Sequence, residues 1–137
     1  MPITCQFKPN GVIIWHSGVI DGKELIQTNK DIYAHHFEDG LLFQLAELSG
    51  VDKFNVSGKD MQQLALMDSL HKKEISNTQY ACVVAPDETL FAKSRQWNLQ
   101  SDADDFQTNV VRSMDEAVAW YKSKGINIGT SQRVEKD

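Results

Sequence analysis

Proline is scarce in this sequence, with three in 137 residues, and cysteine is scarcer, with two. So few prolines exclude a proline-rich spacer. Two isolated cysteines, Cys5 and Cys82, exclude a disulfide scaffold, and neither has a second cysteine at metal-ligand spacing. Each lies in an alternating or apolar run and reads as a small buried hydrophobe. No apolar run approaches the ~18 residues of a membrane span. The start, "MPITCQFKPN", lacks a basic segment followed by an apolar one. No signal peptide is therefore expected, and the expected compartment is the cytoplasm. Positive charge is also short, with 14 Lys and Arg against 19 Asp and Glu. No basic cluster exceeds Lys72-Lys73, which argues against a phosphate backbone as partner. No glycine-rich phosphate loop and no G-x-S-x-G elbow occur, so neither a cofactor nor a catalytic constellation is expected.

The remaining composition, 41% hydrophobic and 24% charged, is that of an ordinary globular domain. "ITCQF" alternates apolar and polar residues, "KPNG" turns, and "VIIWHSG" is apolar and β-branched, which together predict a hairpin. Asp21 with Glu24 marks a helix start, and Leu25, Ile26, Ile32 and Tyr33 share its stripe. After Asp39-Gly40, "LLFQLAEL" predicts a strand. Ser57-Gly58-Lys59-Asp60 opens a second helix, whose buried face should hold Met61, Leu64, Met67 and Leu70. "QYACVVA" has the unbroken apolarity of a strand buried on both faces. Pro86-Asp87 starts a third helix with Leu90, Phe91 and Trp97, and "FQTNVVRS" is a last strand. Ser113 with Glu116 starts a fourth helix, which carries Ala117, Trp120 and Tyr121 and ends at Gly125.

The order ββαβαβαβα predicts an α/β domain: one mixed, mostly parallel sheet of four to five strands, with four helices packed mainly on one side. "LLFQLAEL" and "QYACVVA" should be parallel neighbours, with residues 3–7 at an edge. The domain is expected over residues 1–128, followed by a polar tail, 129–137.

"LSGVDKFNVSG" (Leu48 to Gly58) resembles the segment of STAS domains, of the anti-sigma-factor-antagonist type, in which a strand leads into Asp-Ser-Ser-Gly at a helix start. "ACVVAPDETLFAKSRQW" and "EAVAWYKS" resemble segments of the SpoIIAA-like subgroup of small bacterial proteins. The likeness spans roughly residues 3 to 124. It implies a module that is not an enzyme, binds a protein partner such as a kinase or anti-sigma factor, and is switched at a serine that falls on Ser57. The chain departs from that pattern at Asn55, where regulated members carry Asp, and at Val56, where they carry Ser. The subgroup's likeness in shape to Sec14-type domains implies a rival role, binding a lipid or other apolar small molecule.

The surface implied for a partner or a phosphate comprises Asn55, Ser57, Gly58 and Lys59. Ser57 has a plainer role open to it. Its oxygen can cap the helix, as Ser113 does where no regulation is suspected. A phosphate there would face unpaired N–H groups and the positive end of the helix dipole. The rival site is an apolar cleft between the second and third helices, lined by Met61, Leu64, Phe91 and Trp97. It should enclose roughly 300 Å³ or more. His35 and His36 are adjacent near a helix end and do not converge on one ion; no metal is expected. His71 reads the same way, and His16 reads as a surface strand residue. Asp102, Asp104 and Asp105 lack the glycine and glutamate of a calcium loop. The polar tail and the spare aromatics predict a homodimer.

Overall fold

The computed structural model describes residues 2–73 and 77–129. Its elements are β1 (Ile3–Lys8), β2 (Gly11–Asp21), α1 (Gly22–Ala34), β3 (Phe43–Asn55), α2 (Gly58–Lys72), β4 (Gln79–Val84), α3 (Glu88–Ser101), β5 (Phe106–Val111) and α4 (Met114–Ser123). The strands form one sheet in the order β1-β2-β3-β4-β5. Only β1 and β2 pair antiparallel; the other pairs are parallel. This is the expected order, with β3 and β4 as parallel neighbours and β1 at an edge.

The hairpin turns on Pro9 and Asn10, so Gly11 opens β2 opposite Lys8. β2 and β3 pair over most of their length, with register shifts between Trp15 and Ser17 and between Gly18 and Val19. Gly18 sits at this irregularity with φ +69, a left-handed conformation that favours glycine. The pairing carries β3 through Asn55, well past the expected end at Leu48, because the second half of β2 supplies a partner for "VDKFN".

Strand alternation sorts the side chains between two faces. One face presents Ile13, Trp15, Phe43, Leu45, Cys82, Val84 and Val111, and α4 covers it with Ala117 and Tyr121. Ile126 and Ile128, beyond the expected end of α4, complete that core. The Tyr121 hydroxyl donates to the Gln44 carbonyl. The other face packs against α1, α2 and α3, through clusters around Val12, Ile14 and Ile32 and around Leu48, Leu90 and Val110. Three of the four helices thus share one side. Of the expected tail, 129–137, all but Gly129 lies outside the described residues.

Candidate functional site

Two features of the three-helix side could carry function: the turn where β3 becomes α2, and a cavity beneath α1, α2 and α3.

The turn is exposed at Asn55, Ser57, Gly58 and Lys59, with Val56 buried between them. The Ser57 hydroxyl accepts from the Asp60 N–H at 3.1 Å, and Asp60 Oδ2 accepts from the Ser57 N–H at 3.0 Å. This reciprocal box satisfies two helix-terminal groups at once. Asp60 also fills the space where a side chain on Gly22 would stand, so the starts of α1 and α2 are packed together. From α3, Lys93 donates to the carbonyls of Phe54 at 3.1 Å and Val56 at 3.2 Å. The exposed turn is therefore held from both neighbouring helices.

The cavity has a volume of about 120 Å³, below the roughly 300 Å³ expected from sequence. Its floor is the sheet, including Ile14, Ala46, Ala81, Val83 and Phe106. The small residues Ala46 and Ala81 leave space that the helices above do not fill. Its walls include Leu25 and Asn29 of α1, Met61, Leu64 and Asp68 of α2, and Ser94 and Trp97 of α3. Met61, Leu64 and Trp97 line one cavity, which involves α1 and the sheet as well as α2 and α3. Phe91 lies elsewhere. It packs against the Leu48–Leu90 cluster, and the Arg112 guanidinium stands 3.9 Å over its ring.

Asp68 is the residue that the sequence reading missed. It is 5% exposed. Its Oδ1 accepts from the Tyr33 hydroxyl and from Asn29 Nδ2, and its Oδ2 accepts from Trp97 Nε1 at 2.9 Å. Gln44 Nε2 donates in turn to the Tyr33 hydroxyl at 3.3 Å. Burial pushes the Asp68 carboxyl above its ordinary range, against the downward pull of the three donors. Burial, and then the Asp68 charge, hold the Tyr33 hydroxyl protonated well above its usual range. The signal for Asp68 was its spacing, since 61, 64 and 68 fall on one helical stripe. Leu70, expected in that stripe, is instead 52% exposed.

The histidines also depart from expectation. His16 is buried and lines the cavity. Its Nδ1 lies 3.1 Å from the Ile14 carbonyl and 3.2 Å from that of Glu47, so Nδ1 carries the proton. His71 stacks on Tyr33 at 3.8 Å, and His35 stacks on Phe7 at 3.9 Å. Asp102 accepts from the Thr108 N–H at 2.9 Å, and Asp105 faces Lys72 at 3.8 Å; both serve the fold.

No family model matches the sequence, and no curated protein does. Among solved structures, the chain matches that of the anti-sigma factor antagonist SpoIIAA in its unphosphorylated form. The match has a TM-score of 0.57 and 14% identity, and covers 90% of this chain and 99% of the other. The fold is SpoIIAA-like. At that identity the likeness to SpoIIAA is one of fold. No helix among the described residues is long and apolar enough to cross a membrane.

Proposed function

We propose that this chain is a small, non-enzymatic regulatory module of the cytoplasm, which meets a protein partner at the turn between β3 and α2. The observation that carries this reading is the exposure of Asn55, Ser57, Gly58 and Lys59 on a turn fixed by Asp60 and Lys93. A rigid, exposed segment binds with little ordering cost. The SpoIIAA-like fold supports the same reading. Ser57 is its candidate switch, since an added phosphate would act at the surface and leave the core alone. The test is a pull-down from the protein's own host with wild type, Ser57→Asp and Ser113→Asp as baits. Ser57→Asp should change the partners recovered and Ser113→Asp should not. Recovery of the wild-type set by both variants overturns the reading. The same module would form a homodimer, with Leu66, Leu70 and Leu99 available on the exposed faces of α2 and α3. Light scattering that gives only the 15.5 kDa monomer mass contradicts that.

A second reading, a carrier of an apolar small molecule, is favoured by the cavity against Met61, Leu64 and Trp97. Its volume restricts the enclosed part of such a ligand to a few atoms; a cavity of about 150 Å³ holds a benzene ring. Native mass spectrometry of host-purified protein should then show a retained small mass; a bare chain counts against it.

A further inference from the structure

The buried stripe of α2 carries a carboxyl group where a hydrocarbon would pack. Asp68 lines the cavity at 5% exposure, and its partners Tyr33, Asn29 and Trp97 come from two other helices. Each partner is a neutral donor. A carboxylate offers about four acceptor sites, so three donors leave one unfilled. The ion pairs found among the described residues, Lys72 with Asp105 and Arg112 with Glu88, lie elsewhere. A carboxylate taken out of water is costly unless a positive charge or a full set of donors compensates it. A ligand in this cavity therefore meets the Asp68 carboxyl group on the α2 wall, with hydrocarbon from Met61 and Leu64 along the same helix and from Ala46 on the sheet floor.

We propose that the cavity binds a small primary alkylammonium, whose N–H donates to Asp68 and whose hydrocarbon lies against Met61, Leu64 and Ala46. This rests on the second reading, that the cavity takes a small molecule. A cavity of about 120 Å³ suits an alkyl body of five or six non-hydrogen atoms. The ammonium supplies both missing elements together, a donor for the open acceptor site and the compensating charge. A neutral alcohol of the same shape supplies only the donor.

The test is a titration of the full chain with isopentylamine, and separately with isopentanol, followed by the NMR signal of the Trp97 indole N–H. That N–H is bonded directly to Asp68, so it reports occupancy of this site. The amine should move the Trp97 signal and bind about ten-fold tighter than the alcohol, the scale of one charge-assisted hydrogen bond. In Asp68→Asn the preference should vanish. Should that variant not fold, Ala46→Leu fills the cavity floor and should abolish amine binding. Equal binding of amine and alcohol to the wild type overturns the ammonium assignment and leaves the cavity reading standing. Binding of neither overturns both. Amine binding that leaves Trp97 unmoved, or that survives Ala46→Leu, overturns the assignment of the site.

Discussion

The two faces of the sheet are closed in different ways. One helix and a short segment ending in Ile128 seal the first, where Tyr121, Phe43 and Leu45 are fully buried. Three helices cover the second and still leave a cavity, with a carboxylate in its wall. The number of covering elements therefore does not decide how well a face is filled. Residue size does: Ala46 and Ala81 lower the floor on the three-helix side, while Phe43 and Leu45 fill the space under α4. A protein that must stay folded and also hold a ligand can divide the two tasks between the faces of one sheet.

Matched truncations should expose that division most strongly. Leu45→Ala on the filled side should cost about 4 kcal/mol, while Leu64→Ala, half-buried at the cavity, should cost about 2 kcal/mol. Denaturant melts read both; equal losses would erase the distinction between the faces.

The faces should also differ in their response to pH. On the filled side, burial and then the Glu116 charge push the Cys82 thiol up from 9.0 to about 12. The folded chain therefore holds this proton more tightly than the unfolded chain. Stability is complete below the unfolded value and falls as pH rises between the two, by roughly 1.4 kcal/mol per pH unit. Cys82→Ala should flatten that part of the alkaline slope. On the cavity side, Asp68 is likewise raised, from 3.8. The stability it contributes is complete below pH 3.8 and is lost as pH rises through its folded value, a loss absent in Asp68→Asn. Thermal melts across pH check both. A wild-type curve unchanged by either substitution would leave the two titrations without support.

Enlargements give a smaller, opposite contrast. Ala117→Val, under α4, should cost about 1–3 kcal/mol from overpacking. Ala46→Val, over the cavity, should be neutral or stabilising. The smallest effects belong to the turn. Ser57→Ala should cost about 1 kcal/mol. Gly22→Ala should cost a similar amount, because it displaces Asp60 from the same box. Since both break one interaction, the double variant should lose less than the sum of the single losses, as a double-mutant cycle would measure.

Much of the fold was legible because its punctuation is local. Asp21, Ser57 and Ser113 cap the helices that follow them, each accepting from the residue three positions on. The extension of β3 to Asn55 was not legible, because "VDKFN" is polar and becomes a strand only beside β2. Asp68 was missed, and His16 was read as a surface residue, for a related reason. Their burial is compensated by Tyr33, Trp97 and the Glu47 carbonyl, which are distant in sequence and meet them only in the fold. The expected stripe of 61, 64, 67 and 70 keeps a strict spacing of three, which drifts around a helix of about 3.6 residues per turn and carries Leu70 to the far side, whereas the buried stripe runs through 61, 65, 68 and 72.

The strands lie side by side in the order in which they are synthesised. After the first hairpin, each new strand joins the free edge left by its predecessor, and none has to be threaded between two already paired. An emerging chain can therefore extend its sheet from one side, each crossover helix arriving between the strands it links. Long-range pairing is slow when it requires closing large loops, and here every closure spans a single helix. The last helix, α4, then covers a face whose strands are all in place. Assembly on the ribosome thus needs no strand to wait for one made much later.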